Sequence, residues 1–279
     1  MSMQESFSGK VVLITGASSG IGEELALQLA QRGALLTLAA RRTARLEQMS
    51  QKIGATATMQ PLVVECDVTK DGDVERAVAE TVRQRGKLDI VFANAGFGVA
   101  GMFANLTLDD YRRQFETNVF GVIRTLYAAL PEVKKTRGQL VITGSVAGWA
   151  ATPGTSAYAM SKFALRALAN SITPELAVSG VRVTLISPGF FESEIRRVDN
   201  RGKLHPEAPE PVPAWLLVPR ATAARDILRA VARGRREAII TGHGKLLVVL
   251  ARFAPWILRA AGRRMAGRGR GYRPEPKSG

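Results

Sequence analysis

The chain has 279 residues, 46% hydrophobic and 23% charged, with a mean hydropathy of +0.01, and this composition excludes collagen, coiled coil and disorder for the chain as a whole. The single cysteine, Cys66, excludes a disulfide framework and a cysteine-based zinc site, and two histidines argue against a metal centre. The net charge of +15 is uneven, because residues 220–279 hold 15 Lys/Arg against 3 Asp/Glu, which predicts an anionic partner for that end only.

In chain order, short apolar runs alternate with longer helical stretches. Residues 1–10 are polar and lack the apolar stretch of a signal peptide, which predicts a cytoplasmic location. The apolar runs predict strands over 10–15, 35–40, 61–65, 88–93, 139–143, 181–187 and 238–241. Helices are predicted over 20–32, 43–53, 71–85, 107–136, 155–178 and 221–233. This alternation predicts an α/β fold, a doubly wound parallel sheet with helices on both faces.

Three features interrupt the alternation. Pro174 lies inside a helical stretch and predicts that the helix kinks or ends there. Residues 190–219 form a long proline-rich connection, which predicts a lid. The pattern stops near residue 245, so we divide the chain into an α/β domain over 1–242, an amphipathic C-terminal extension over 243–265 and a disordered tail over 266–279.

A glycine-rich turn, Gly16-x-x-x-Gly20-x-Gly22, links the first strand to the first long helix. Glycines permit a tight turn and a close backbone approach, and a helix N-terminus offers free N–H groups and a positive dipole. The turn therefore predicts a site for a dinucleotide pyrophosphate, although its spacing differs from G-x-G-x-x-G.

The second strand ends in Ala40-Arg41-Arg42, without the acid that would hold the ribose 2′-OH of NAD. The two arginines suit a 2′-phosphate, so we predict NADP(H) rather than NAD(H), with Ser18 as a further contact. Two solvated arginines that begin a helix are the alternative. Asp67 follows the third strand, where it would accept from the adenine amino group or cap the next helix.

Ser145 follows the fifth strand, and Tyr158 and Lys162 lie four residues apart on one face of the next helix. A tyrosine with its ordinary pKa of about 10 is a poor acid–base catalyst at neutral pH. A neighbouring ammonium and a nicotinium charge would lower that pKa, and Ser145 would hydrogen-bond the substrate oxygen.

Over residues 8–195 the sequence resembles the short-chain dehydrogenases/reductases. The motifs that carry the resemblance are Thr15-Gly16-x-x-x-Gly20-Ile21-Gly22, Asp67, Asn94-Ala95-Gly96, Asn118, Ser145, Tyr158-x-x-x-Lys162 and Pro188-Gly189. The resemblance implies a Rossmann-like sheet, usually in a homodimer or homotetramer, and a carbonyl/alcohol oxidoreductase. It implies a catalytic tetrad in which Asn118 holds a water, Ser145 the substrate oxygen and Lys162 the nicotinamide ribose, with Tyr158 as the acid–base. The predicted cofactor contacts are Gly16, Ser18, Ser19, Gly20, Ile21, Gly22, Arg41, Arg42, Asp67, Val68, Asn94, Ala95, Gly96, Tyr158, Lys162, Pro188, Gly189 and Ser193.

Large apolar side chains near these positions predict a lipophilic carbonyl or alcohol as the substrate. The pocket candidates, besides Ser145, are Phe97, Trp149, Phe190 and Phe191, with 215–218 in the lid. Basic lid residues would attract an anionic carrier or merely be solvated: Arg196, Arg197, Arg201 and Lys203.

Residues 246–258 are strongly apolar but too short to span a membrane, and arginines follow them. Residues 246–273 therefore predict peripheral contact with an anionic membrane. Packing on its own domain or on a partner subunit is the alternative; no base-reading fold is apparent, so no specific nucleic-acid binding is predicted. The alternative functions are a reductase of long-chain 3-keto lipids at the membrane and a non-catalytic NADP(H)-binding regulator or scaffold.

Overall fold

The computed structural model describes residues 3–57 and 59–267, and its centre is a seven-stranded parallel sheet. The strands run side by side in the order β3-β2-β1-β4-β5-β6-β7. They are β1 (Val11–Thr15), β2 (Leu35–Ala40), β3 (Leu62–Glu65), β4 (Ile90–Ala93), β5 (Gln139–Thr143), β6 (Arg182–Ser187) and β7 (Glu237–Ile239). This topology confirms the predicted doubly wound sheet.

Helices cover both faces of the sheet. They are α1 (Met3–Phe7), α2 (Gly20–Ala30), α3 (Thr43–Gly54), α4 (Asp73–Arg85), α5 (Leu108–Phe115), α6 (Gly121–Thr136), α7 (Ser156–Ala177), α8 (Arg220–Ala232), α9 (Gly242–Phe253) and α10 (Pro255–Gly267). The cores of the two faces are separate. On one face Val12 and Ile14 of β1 pack with α2, α3 and α8, and on the other Val11 and Leu13 pack with α4, α6 and α7. Every residue of β1 is buried, as expected for a parallel sheet covered on both sides.

Most predicted elements agree with the structure to within two residues, but two helix predictions need correction. The predicted helix over 107–136 is interrupted by a π-helical turn, Glu116–Phe120, between α5 and α6. Of the two outcomes predicted at Pro174, an end of the helix is wrong, because the helix continues to Ala177, and a kink stays a prediction. Because a proline has no N–H, the Asn170 carbonyl lacks the helical hydrogen bond that residue 174 would otherwise donate. Asn170 and Pro174 are both exposed, so water can donate to that carbonyl instead. Cys66 is buried, and burial raises the pKa of its thiol to about 12, as expected for an inert thiol.

The connection 190–219 is folded back on itself. Phe191 bridges to Val218, and Val198 bridges to Leu204. Arg196 forms a two-point ion pair with Glu210 and also donates to the Phe191 carbonyl. The connection is therefore fixed at both ends, and its role as a lid stays a prediction.

After β7 the chain forms α9, whose first turn packs on Val146 near the end of β5, and then α10, whose Gly262 lies beside Pro153. Residues 268–279 lie outside the described part of the chain, so the tail prediction over 266–279 stays a prediction. Among the described residues, no helix is long and apolar enough to cross a membrane.

Candidate active site

The glycine-rich turn after β1 forms a cradle that leaves no room for a side chain at Gly16 or Gly22. Gly16 has a φ of +68°, and a Cβ there would lie 2.7 Å from the Ala95 Cα. A Cβ on Gly22 would lie 2.5 Å from the Gly16 carbonyl oxygen and 2.7 Å from Asn94 Nδ2. Ser19 is extended and directly precedes α2, so the first N–H groups of that helix, from Gly20 to Gly22, open onto the cradle. A pyrophosphate fits such a backbone-lined helix N-terminus.

Asn94 at the end of β4 holds the cradle in place. Its Nδ2 donates to the carbonyls of Thr15 (3.1 Å) and Gly16 (3.3 Å), and its Oδ1 accepts from Thr143 (3.2 Å). The Thr15 hydroxyl accepts from the backbone N–H groups of Asn94 (3.1 Å) and Ala95 (3.3 Å). Three strand ends are thus joined. The positioning roles of Thr15 and Thr143 have no signal in the sequence beyond their place at strand ends.

Arg42 joins the cradle, whereas Arg41 does not. The Arg42 guanidinium donates to the hydroxyls of Ser18 (3.1 Å) and Ser19 (2.6 Å), so it is held against the cradle, although its side chain stays 42% exposed. Arg41 is exposed and lies beside Gly202 of the lid. One guanidinium therefore lies at the edge of the pyrophosphate cradle, with a second beyond it.

Asp67 forms a local turn and does not cap α4, so the capping alternative is wrong. Its Oδ1 accepts from the backbone N–H (3.0 Å) and hydroxyl (2.8 Å) of Thr69, while Gly72 is the residue that precedes α4. Val68 is buried against Gly121 of α6. Its side chain is thus committed to the core, and only its backbone is free to face a cofactor.

Tyr158 and Lys162 lie on the first turns of α7, with Lys162 Nζ 5.6 Å from the centre of the Tyr158 ring. Lys162 is buried and donates to the Thr143 carbonyl (2.9 Å), and burial lowers its pKa to about 8. Burial also raises the pKa of Tyr158, which a hydrogen bond with Ser145 and the charge of Arg196 only partly counteract. In the chain alone the tyrosine pKa therefore moves opposite to the predicted direction.

Asn118 lies in the π-helical turn and is fully buried. Its Oδ1 accepts from the Phe97 N–H (3.1 Å), and its Nδ2 donates to the Phe97 carbonyl (3.0 Å) and to Ser161 (3.2 Å). The side-chain amide thus fixes the loop after β4 against α7. A catalytic water held by Asn118 stays a prediction.

The segment after β6 is clamped by a residue that sequence reasoning missed, His243 at the start of α9. Its Nε2 accepts from the Phe190 N–H (2.8 Å), and the two rings stack with their centres 5.6 Å apart. Gly189 is in such close contact with His243 and Thr241 that a Cβ would not fit. His243 is separated from this segment by more than fifty residues, so nothing in the sequence indicates the contact.

The remaining candidates have different surroundings. The Pro188 carbonyl accepts from the Val146 N–H (3.0 Å), and Ser193 lies beside Gly20 of the cradle. Phe190 is 40% exposed, whereas Phe191 packs against the core that contains α2 and α8.

Two pocket candidates flank α7. The Trp149 ring packs on Arg166, whose guanidinium carbon lies 3.2 Å from the ring centre. Phe97 is half-buried, and its neighbour Gly98 lies against the Tyr158 ring. Phe97 therefore adjoins a residue in contact with Tyr158, and a substrate contact of Phe97, Trp149, Phe190 or Phe191 stays a prediction.

Comparison with known proteins agrees with this geometry. A family model described as short chain dehydrogenase matches residues 10–203. The 11-beta-hydroxysteroid dehydrogenase 1A of Arabidopsis thaliana is 40% identical over 194 residues, which are 68% of this chain and 55% of that protein. The chain thus spans about half the length of the first curated relatives it matches.

Two solved structures share the architecture. One is an alcohol dehydrogenase from the archaeon Thermococcus sibiricus complexed with 5-hydroxy-NADP, with 28% identity, a TM-score of 0.72, and coverage of 82% of this chain and 95% of that one. The other is a short chain dehydrogenase/reductase from Burkholderia phymatum in complex with NAD, with 24% identity, a TM-score of 0.78, and coverage of 92% and 96%. The second likeness shows the fold alone. The bound dinucleotide differs between the two, so these structures do not distinguish NADP from NAD as the cofactor of this chain.

Proposed function

The chain belongs to the short-chain dehydrogenase family, and from that premise we propose that it is an NADP(H)-dependent oxidoreductase that interconverts a carbonyl and a secondary alcohol. The observation that carries the proposal is the placement of Ser145, Tyr158 and Lys162 at the strand ends that also hold the glycine cradle. An acid–base group, an oxygen-binding hydroxyl and a dinucleotide cradle are the parts that carbonyl reduction needs.

In the proposed reduction, Ser145 donates a hydrogen bond to the substrate carbonyl and Tyr158 donates a proton to the same oxygen. When bound in the cradle, the nicotinamide cofactor supplies the hydride. Lys162, fixed by the Thr143 carbonyl, holds positive charge near the phenol as its proton leaves. Burial raises the pKa of Tyr158, so the phenol is protonated at neutral pH, which is the form that donates a proton in reduction.

Arg42 supports the choice of NADP(H). It already bridges Ser18 and Ser19 at the edge of the cradle, and β2 ends at Ala40, which cannot accept from a ribose 2′-OH. A guanidinium binds a phosphate through two parallel hydrogen bonds, so a 2′-phosphate beside Arg42 gains an ion pair that NADH cannot form.

The substrate that we propose is lipophilic. Phe97 adjoins Gly98, which lies against the Tyr158 ring. Phe190 is 40% exposed and Trp215 on the lid is 82% exposed, so both offer apolar surface. A relative named as a hydroxysteroid dehydrogenase supports a bulky apolar ketone or secondary alcohol. A long-chain 3-keto lipid is the second candidate of this class.

The test is turnover and binding of Tyr158→Phe on a panel of steroid and long-chain ketones with NADPH. We expect turnover to fall about 10²- to 10⁴-fold while NADPH affinity stays within a few-fold of that of the wild type. If the wild type binds NADPH but reduces no ketone in the panel, the non-catalytic regulator or scaffold becomes the better explanation. If it binds neither NADPH nor NADH, the oxidoreductase proposal fails.

We also propose that α9 and α10 contact an anionic membrane surface. Leu246, Val249 and Phe253 form an exposed row on α9, and Trp256 is 64% exposed at the start of α10. Residues 242–267 contain five basic residues and no acidic one, so the apolar row is flanked by positive charge alone. This combination is typical of a helix that lies in a lipid interface.

Vesicle sedimentation tests the membrane proposal. We expect the protein to pellet with vesicles of phosphatidylserine and phosphatidylcholine, to bind phosphatidylcholine alone weakly and to be released by high salt. Phe253→Gln with Trp256→Gln should abolish pelleting, whereas Tyr127→Gln on α6, 73% exposed, should not. If the double variant pellets like the wild type but changes the oligomeric state in solution, the apolar row is a subunit interface of a dimer or tetramer instead.

A further inference from the structure

We infer that Glu194 on the lid competes with a cofactor 2′-phosphate for the arginines at the end of β2, and so sets how strongly the chain prefers NADPH over NADH. The inference rests on the proposed function, because it concerns the same dinucleotide cradle. It adds a residue of the lid, Glu194, to the residues at the end of β2 that determine the relative affinity for NADPH and NADH.

Glu194 reaches across the cradle to α3. Its carboxylate accepts two hydrogen bonds from Arg45 (3.1 and 3.2 Å) and lies 3.8 Å from the Arg42 guanidinium. Arg42 is the same residue that binds the hydroxyls of Ser18 and Ser19. The lid thus places a carboxylate on the guanidinium that the proposed function assigns to the 2′-phosphate.

The lid is held in this position by the neighbouring residue. Ser193 lies beside Gly20, so the chain crosses the helix N-terminus immediately before Glu194. Ser193 also accepts from the Ile195 N–H (3.2 Å), which fixes the start of the short turn Glu194–Arg197. The contact is therefore set by the backbone path of the lid as well as by a flexible side chain.

The ion pairs of Glu194 with Arg42 and Arg45 are exposed enough for a phosphate to replace the carboxylate. The Glu194, Arg42 and Arg45 side chains are 34%, 42% and 43% exposed, and partly exposed ion pairs break readily. A carboxylate and a phosphate use the same two-point geometry on a guanidinium, so one can replace the other.

Among the described acidic residues near this cluster, Glu194 is the one that contacts Arg42 and Arg45 directly. Glu23 and Arg220 also influence this cluster, and they pair with each other at 3.6 Å. The hydrogen bonds and charge of Arg45, with a smaller effect of the Arg42 charge, outweigh burial and hold the pKa of Glu194 below its usual value, so the carboxylate is charged at neutral pH.

The two cofactors meet this carboxylate differently. A 2′-phosphate must displace Glu194 from Arg42 and is repelled by it, which weakens NADPH binding. The 2′-OH of NADH carries no charge and can donate a hydrogen bond to the carboxylate, the role that an acid at the end of β2 has in NAD sites. Glu194 therefore reduces the preference for NADPH over NADH that Arg42 and Arg45 alone would produce.

The experiment is a set of equilibrium titrations with NADPH and with NADH, followed by cofactor fluorescence, on the wild type, Glu194→Gln and Glu192→Gln. Glu192 is the matched control: it lies two residues away on the same lid, accepts from the Arg220 N–H (3.4 Å), and its replacement makes the same change in charge. We expect Glu194→Gln to tighten NADPH binding about tenfold and to leave NADH binding unchanged or a few-fold weaker. Glu192→Gln should change both affinities by the same small factor.

The ratio of the two dissociation constants decides the outcome. If the ratio in Glu194→Gln stays within twofold of the wild-type value, or moves as it does in Glu192→Gln, the inference is overturned while the proposed function stands. If the wild type binds neither cofactor, the proposed function and the inference fail together. Glu194→Ser, which also removes the carboxylate, provides the same measurement should the glutamine variant not fold.

Discussion

Burial moves the pKa values of Tyr158 and Lys162 in opposite directions, and both shifts bear on catalysis. Burial lowers the pKa of Lys162 to about 8, so the ammonium persists at neutral pH but loses its proton under mildly alkaline conditions. Tyr158 has a raised pKa and remains a protonated acid over the same range. In the proposed mechanism, Lys162 is therefore the group whose loss of a proton would limit reduction at alkaline pH.

We predict that kcat/KM for ketone reduction is level from about pH 6 to 7.5 and falls above about pH 8, as Lys162 becomes neutral. The sign follows because only the charged ammonium stabilises the phenolate that develops on Tyr158. A pH–rate profile of the wild type beside Lys162→Arg is the measurement, since an arginine stays charged throughout this range. A wild-type profile that stays flat to pH 10 would contradict the assignment.

His243 is the residue whose role the structure reveals most clearly. It accepts from the Phe190 N–H only when Nε2 carries no proton, and burial lowers its pKa, so the contact persists below the ordinary histidine pKa of about 6.5. We predict that His243→Ala lowers kcat about tenfold with little change in NADPH affinity, because the Gly189–Phe190 segment loses its fixed position. His243→Gln, which keeps an acceptor, should recover part of the loss. Equal kcat in the alanine variant and the wild type would contradict a positioning role of His243.

Residues close in sequence could be predicted, and residues brought together only by the fold could not. Tyr158 and Lys162 are one helical turn apart, and the cradle glycines lie within seven residues, so spacing alone places each group. His243 and Phe190 are 53 residues apart, and Glu194 and Arg45 are 149 apart. No local pattern encodes such pairs, because their contact depends on where β6, the lid and α9 end up around the sheet.

At the level of elements, the least predictable feature is the π-helical turn between α5 and α6. An apolar periodicity over 107–136 indicates one helix and gives no sign of the extra residue that a π turn inserts. The turn carries Asn118, whose amide ties the Phe97 loop to Ser161 of α7. An irregular turn at the predicted position of a catalytic residue agrees with the general tendency of π turns to occur at functional sites.

Asp89 joins the amino ends of three strands, opposite the active-site edge. Its carboxylate accepts from the Val11 N–H (2.9 Å) and pairs with Lys10 and Lys87, and its carbonyl accepts from the Gln139 N–H. Burial by itself would raise the pKa of Asp89, but these donors outweigh burial and bring the pKa below the usual value. A charged, paired carboxylate thus stabilises the sheet away from the chemistry.

We predict that Asp89→Asn lowers the free energy of unfolding by about 1–3 kcal/mol at pH 7. Because the folded pKa lies below the unfolded one, this contribution is complete above the unfolded value of about 3.9 and disappears as the pH falls through the folded value. Urea unfolding of both proteins at pH 7 and at pH 3 measures the difference. If the difference in unfolding free energy between the two proteins is as large at pH 3 as at pH 7, the substitution acts through packing rather than charge.

At the level of the whole molecule, the cradle, the catalytic helix and the lid are joined by the sheet, so cofactor binding should stabilise the entire fold. At a cofactor concentration 100 times the dissociation constant, binding adds about 2.7 kcal/mol, and in a chain of this size each kcal/mol raises Tm by about 2–4 °C. We therefore predict that saturating NADPH raises Tm by about 5–10 °C. Gly22→Ala should lose most of this rise, because its Cβ would meet the Gly16 carbonyl and Asn94 in the cradle.

Gly242→Ala is the matched control for that thermal measurement. Gly242 has open space around it at the start of α9, so the same added methyl group should leave the NADPH-dependent rise intact. The rise rather than the absolute Tm is the relevant quantity, since Gly22→Ala also strains the unliganded cradle. If Gly22→Ala and Gly242→Ala show the same NADPH-dependent increase in Tm, the cofactor does not bind at the turn after β1.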